Sequence, residues 1–167
     1  MQEGIYIGLG SNLDQPIQQI LTAINHLRQS RELRIEAVSG LYRTPPMGPK
    51  NQADYINAVV KLSTDLSPQQ LLTFLQTKEN EQARTRNSGH WGPRTLDLDL
   101  LIYGDQLINT LQLTVPHIGI ANRAFVLYPL QDISTHLHIP TLGLVSDLIA
   151  QLQEPKPEMI DTLKHNV

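Results

Sequence analysis

Cysteine is missing from this 167-residue chain, so disulfides, thiolate metal sites and thiol nucleophiles are excluded, and a reducing compartment is compatible with the composition. Charge is modest: 17% of residues are charged and the formal net charge is -3. That balance argues against a general nucleic-acid binder, so any anion site must be local. No stretch approaches the roughly 18 apolar residues of a membrane span, and Met1-Gln2-Glu3-Gly4 lacks a basic leader region, so the expectation is a cytoplasmic protein with no membrane partner. There is no Gly-Lys dipeptide, which excludes a Walker-type phosphate loop, and Gly8-Leu9-Gly10-Ser11-Asn12-Leu13 lacks the third glycine of a dinucleotide fingerprint. A nucleoside triphosphate, if bound, must be held by side chains and metal ions. Aromatics are also scarce, with one tryptophan, five tyrosines and two phenylalanines, which makes the placement of each informative.

What is present is enough for one domain, expected to span residues 1–167, with a proline-bearing polar end from about residue 154 that reads as a frayed tail. Residues 4–9 read as a first strand, turned by the glycine segment into a helix over 16–28. Residues 34–42 read as a second strand and 55–62 as a third, separated by a loop too rich in proline to be regular. Ser67-Pro68 starts a helix reaching about residue 82, with Leu71, Leu72 and Leu75 as its apolar stripe. Another strand runs to Tyr103, and Gly104-Asp105 turns it towards 106–108 as a hairpin partner. Residues 122–128 and 142–152 read as helices. This order, with a hairpin, predicts an α+β fold, a sheet covered by helices, better than a regular βαβ wind.

The densest chemistry lies in Gly92-Pro93-Arg94-Thr95-Leu96-Asp97-Leu98-Asp99. On a strand, Asp97 and Asp99 share one face, roughly 6.6 Å apart along the backbone, while Leu96, Leu98 and Leu100 point into a core. Two like charges so placed are best tolerated around cations, and a metal pair about 3.5–4 Å apart of the kind that clamps phosphates fits the span. A solvated acidic face is the plain reading of an isolated Asp-x-Asp. Its neighbours favour the metal: residues 82–96 carry Arg84, Arg86, Arg94 and His90 and no acid. Arginine forks suit phosphate oxygens, and Asn87-Ser88-Gly89 gives that segment the composition of a closing loop.

Further along, Thr114-Val115-Pro116-His117 and Asn122-Arg123-Ala124-Phe125 bring another histidine and arginine towards an anion, or are simply surface groups. Tyr55-Ile56-Asn57 places an aromatic and an amide on one strand face, able to stack on a flat heterocycle and read its edge, with core packing the alternative for Tyr55. Phe125 is a second wall or helix core. His136-x-His138 has metal spacing but no third ligand signal and is read as incidental.

Together, Gly10-Ser11-Asn12, Tyr42-Arg43-Thr44-Pro45-Pro46-Met47-Gly48-Pro49, Asp54-Tyr55-Ile56-Asn57, Trp91-Gly92-Pro93-Arg94-Thr95-Leu96-Asp97-Leu98-Asp99 and Val115-Pro116-His117 closely resemble the hydroxymethyldihydropterin pyrophosphokinase family of folate biosynthesis. The resemblance runs from about residue 4 to 130. It implies a ferredoxin-like, mostly antiparallel sheet covered by helices, and transfer of the β,γ-diphosphate of ATP to the hydroxymethyl group of a reduced pterin, releasing AMP. It implies Asp97 and Asp99 as ligands of two Mg2+ ions, with Arg84 and Arg94 joining them as catalytic residues. Glu79, Arg84, Arg86, Trp91, Arg94, Thr114, His117 and Arg123 would line the ATP site. Thr44, Pro45, Met47, Tyr55, Asn57 and Phe125 would line the pterin site, and the family analogy points to a monomer. Ile118, Ala121 and His90 depart from the family pattern, all on the nucleotide side. A metal-dependent phosphodiesterase would share the acids and arginines without calling for the Tyr-x-Asn face, and a non-catalytic ferredoxin-like ligand-sensing module would need no metal ligand.

Overall fold

The computed structural model describes residues 1–46, 53–85 and 95–161, with the backbone alone at 84, 85 and 161. Among them one six-stranded antiparallel sheet organises the molecule. Its central strands are β1 (Gln2–Ser11) and β4 (Tyr55–Thr64). The path runs β10–β3–β4–β1–β5, and β2 also pairs with β4. The helix α1 (Pro16–Gln29) connects β1 to β2 (Leu33–Val38) and β3 (Leu41–Thr44). From β4 the chain passes through α2 (Pro68–Thr85) to β5 (Asp97–Tyr103), which pairs with β1. First strand beside both third and fourth, with helices as crossovers, is the ferredoxin-like arrangement expected.

Local sequence explains the ends. Pro16 opens α1 after two left-handed residues, Asp14 (φ 50) and Gln15 (φ 62). At α2, Gln70 N–H donates to Ser67 Oγ (3.2 Å) and Ser67 N–H to Gln70 Oε1 (2.9 Å), a reciprocal capping box ahead of Pro68. The single strand expected over 34–42 is two, because the chain breaks at Ser39-Gly40. Ser39 Oγ accepts Val59 N–H (2.8 Å) and its own N–H donates to Val59 O (2.9 Å), so one residue takes both bonds and β2 and β3 flank it on β4.

Each sheet face buries a separate core. Ile20, Ala23, Ile24 and Leu27 of α1 and Leu71 and Leu75 of α2 pack with Ile5, Ile7, Leu9, Leu96, Leu98 and Leu100 on one face. The other is covered by α3 (Ala124–Ile133) and α4 (Val145–Ala150), whose Val126, Leu127, Leu130, Val145 and Leu148 meet Tyr6, Val59, Leu101 and Ile102. Leu101 has no register partner between Ile7↔Leu100 and Tyr6↔Ile102, so a bulge puts Leu101 and Ile102 on the same face.

Three expectations need correcting. Residues 106–108 do not return along β5. Instead β6 (Ile108–Asn109) pairs with β7 (Thr114–Val115) in a small separate ribbon, and it is the His117 N–H that meets β5, at Leu101 O (2.8 Å). The two later helices begin later than the hydrophobic pattern suggests, and α3 continues through Pro129 to Ile133. Residues 158–161 are not frayed: β8 (His138–Ile139) and β9 (Gly143–Leu144) pair with each other ahead of α4, and β10 (Glu158–Asp161) then pairs with β3 at the sheet edge. The backbone pairing available at that edge outweighs the polar composition that reads as a tail. No helix of the described residues is long and apolar enough to cross a membrane.

Candidate functional site

Register places the acids opposite the amide. Asp97 pairs with Gly10, Gly10 with Asn57, and Asn57 with Tyr42, giving a row of four residues across four adjacent strands. One step along, Asp99 pairs with Gly8 and Gly8 with Val59. Directly opposed residues share a face, so Asp97, Asp99, Asn57 and Tyr42 all rise from the side covered further on by α3. Thr44 and Tyr55 pair with each other on that same side. With strands about 4.8 Å apart, Asp97 and Asn57 stand about 10 Å from one another at the backbone.

Between them is bare main chain. A Cβ on Gly10 would lie 2.9 Å from Asn57 Oδ1, and one on Gly8 would meet the Leu101 methyls at 3.4 Å. The glycines expected to form a turn are thus strand residues: β1 continues to Ser11, and Gly10 clears a floor between Asp97 and Asn57, while the Leu101 side chain lies over Gly8. The expectation that they bend the chain missed this because alternation of glycine with Leu9 is also what a strand with one bare face looks like.

Each predicted residue can now be located. Asn57 is buried and its Nδ2 donates to Thr44 Oγ1 (3.3 Å), which fixes the amide's orientation on the floor. Tyr55 and Thr44 are half-buried at the end of β4 and β3, and Pro45 is exposed just beyond. Asp97 is half-buried and Asp99 exposed. Phe125 lies in the first turn of α3, partly buried against the core of that face, with the exposed Arg123 guanidinium 5.8 Å from its ring centroid. Arg123 also lies across Gly119, where a Cβ would come within 2.6 Å of the guanidinium carbon. His117 follows the cis Val115–Pro116 bond. Its backbone N–H donates to Leu101 O (2.8 Å), tying it to β5, and its Nδ1 accepts Gly119 N–H (3.1 Å), which leaves Nε2–H as the outward donor of the neutral ring. Thr114 is half-buried on β7 next to Val115.

Glu79 is placed differently from the others. It comes from α2, on the far side of the sheet, and its Oε1 accepts the Leu98 N–H (2.8 Å) at the outer edge of β5, between the two aspartates. Arg84 ends α2, where the backbone alone is described, and Met47, Arg86, Trp91 and Arg94 lie outside the described residues.

Two groups that motif reading passed over belong here. Tyr42, fully buried, donates its hydroxyl to Asp132 Oδ2 (2.5 Å) and so fastens α3 to the end of the row. Burial first, then that bond and the Asp132 charge, push the phenol pKa well above its ordinary 10. The buried hydroxyls of Ser11, on the strand face opposite Gly10, and of Thr95, ahead of β5, have no hydrogen-bond partner among the described residues.

The acid pair suits Mg2+. Asp97 and Asp99 put two hard oxygen donors on one face of β5. Mg2+ is held in that way, by one or two carboxylates with phosphate and water filling the rest of the octahedron.

Comparison with known proteins agrees with the geometry. The family model for 7,8-dihydro-6-hydroxymethylpterin-pyrophosphokinase matches residues 6–135. The 2-amino-4-hydroxy-6-hydroxymethyldihydropteridine pyrophosphokinase of Haemophilus influenzae is 43% identical over 151 residues, 90% of this chain and 94% of that protein. That of Pseudomonas aeruginosa is 45% identical over 150 residues, 90% and 92% of the two chains. Among solved structures, Plasmodium falciparum HPPK-DHPS superposes with a TM-score of 0.70 at 13% identity, over 90% of this chain and 44% of that one, a likeness of fold.

Proposed function

The chain belongs to the 7,8-dihydro-6-hydroxymethylpterin-pyrophosphokinase family, and we infer that it transfers the β,γ-diphosphate of ATP to 6-hydroxymethyl-7,8-dihydropterin in folate biosynthesis. The pterin hydroxyl oxygen bonds to the β-phosphorus as the bond from that phosphorus to the α-bridging oxygen breaks, and AMP leaves. The observation that carries the site assignment is the row Asp97–Gly10–Asn57, acids and amide separated by a side-chain-free floor.

The pterin lies over that floor with its edge read by the Asn57 amide, stacked between Tyr55 and Phe125, with Thr44, Pro45 and Met47 closing the side. Its hydroxymethyl arm then points along the row to Asp97. Asp97 and Asp99 would hold the Mg2+, two ions, whose charge would neutralise the triphosphate and lower the pKa of the attacking hydroxyl. Arg84, Arg86, Arg94 and Arg123 and the His117 Nε2–H neutralise the remaining phosphate charge, which is most of what such a transfer needs. Thr114 and Trp91 line the nucleotide side. Glu79 serves that side indirectly, by holding β5 through Leu98. Its substrates are small molecules, and family analogy makes the chain a monomer that works in the cytoplasm.

The test mixes the protein with ATP, magnesium and 6-hydroxymethyl-7,8-dihydropterin and separates the products. AMP and diphosphorylated pterin in equal amounts are expected; ADP, or phosphate release without pterin modification, would refute the reading.

A further inference from the structure

The segment after α4 lies beyond the family-model match, which stops at residue 135, yet it touches α3 and β3, the elements that carry Phe125 and Thr44. Glu154 Oε2 accepts the backbone N–H of Ala124 (3.2 Å), the first residue of α3, between Arg123 and Phe125. Arg123 holds the N-cap position and makes no side-chain cap bond itself, so the carboxylate from the distant segment does the capping. Lys156 Nζ then sits 5.5 Å from the centroid of the Tyr128 ring, one turn further along α3. Pro157 is buried. The segment then pairs with β3, Glu158 opposite Arg43 and Met159 opposite Tyr42, the strand that ends in Thr44.

We propose that residues 152–161 form a strap joining α3 to the edge strand β3, and that Glu154 is the positioning residue through which it sets Arg123 and Phe125. A negative carboxylate at a helix N-terminus both satisfies an orphan N–H and opposes the positive end of the helix dipole. The first turn of α3 is where that effect is felt, and it carries the two side chains that flank the bound substrates. Loss of the cap frays this turn and leaves the acid pair untouched, since Asp97 and Asp99 stand on β5, across the sheet from β3. The proposal rests on the pterin-site reading above.

Glu154→Ala, Glu154→Gln and Lys156→Ala are compared with the wild type for AMP formation and for 6-hydroxymethylpterin binding by calorimetry. Glu154→Ala is expected to weaken pterin binding and raise its KM about five-fold, the size of one lost helix cap, with kcat within about two-fold. Glutamine keeps an acceptor oxygen, so Glu154→Gln should recover most of the binding. Amide exchange at Ala124 and Phe125 should quicken in the alanine variant and not in Lys156→Ala. Unchanged pterin binding in Glu154→Ala, or an equal loss in Lys156→Ala, overturns the proposal while wild-type turnover stands. A wild type that forms no AMP overturns the functional reading instead, and the exchange experiment still decides whether Glu154 caps α3.

Discussion

Adding one methyl group to the floor should separate recognition of the ring from stability of the sheet. In Gly10→Ala the new Cβ meets Asn57 Oδ1 at 2.9 Å, so the amide must retreat by about half an ångström to reach ordinary contact. Its bond to Thr44 Oγ1, already 3.3 Å, does not survive that displacement. Gly10 has no left-handed backbone to strain. Overpacking of this kind costs about 1–3 kcal/mol, offset by about 0.5–1 kcal/mol because alanine loses less freedom on folding than glycine. The net loss of stability is therefore about 0–2.5 kcal/mol. Binding suffers more sharply, because a mis-set amide leaves a ring-edge group unpaired, at about 1–3 kcal/mol, which is about five- to 150-fold in affinity. Gly8→Ala is the internal control: its Cβ meets only flexible Leu101 methyls at 3.4 Å, and both stability and affinity should stay close to wild type. Urea denaturation gives the first quantity, and calorimetry with 6-hydroxymethylpterin at saturating magnesium and nonhydrolysable ATP analogue gives the second. Wild-type pterin affinity in Gly10→Ala, or an equal loss in Gly8→Ala, would refute the floor.

Removal of either acid, Asp97→Ala or Asp99→Ala, should cut turnover by about a thousand-fold or more while thermal unfolding stays within a few degrees, because losing one of two repelling carboxylates also relieves strain; near-normal rates in either variant would remove the metal assignment. Tyr42 has a folded-state pKa above its unfolded value of about 10, so its contribution to stability is complete below pH 10 and declines as pH rises past it. Tyr42→Phe should flatten that alkaline decline in a pH series of urea titrations, and an unaltered slope would mean another group causes it. Glu79→Ala should cost about 1–2 kcal/mol by stranding the Leu98 N–H, with Glu79→Gln intermediate; equal denaturation midpoints for alanine and wild type would show that the contact holds nothing in place.

Much of the site could be read before any register was known, and the reason is periodicity. Leu96, Leu98 and Leu100 alternate with Asp97 and Asp99 in sequence, and the sheet keeps that alternation, with all three leucines in the core shared with α1 and α2. The same reasoning put Tyr55 and Asn57 on a common face, which their partners Thr44 and Tyr42 confirm. Failures came where a residue's meaning depends on a distant partner. Gly8 and Gly10 read equally well as a turn until Val59 and Asp99 are known to flank the first and Asn57 and Asp97 the second. Glu79 carries a helical acid's signature, but its acceptor role exists only because β5 is an edge strand with an unpaired N–H.

The C-terminal segment shows the same limit from the other side. Prolines and charges from residue 154 onward describe a chain unable to build its own core, which is true, and β10 needs none because it borrows an existing edge. Composition reports what a segment can do alone, whereas Glu154 and β10 act by completing hydrogen bonds that α3 and β3 leave open. Open groups of that kind recur near the proposed site: the Leu98 N–H met by Glu79 and the Ala124 N–H met by Glu154. In both, a carboxylate from a distant segment supplies the missing partner, so the amides of Leu98 and Ala124 should exchange slowly with or without substrate, and Glu79→Ala and Glu154→Ala should each quicken the amide that its own carboxylate holds and not the other.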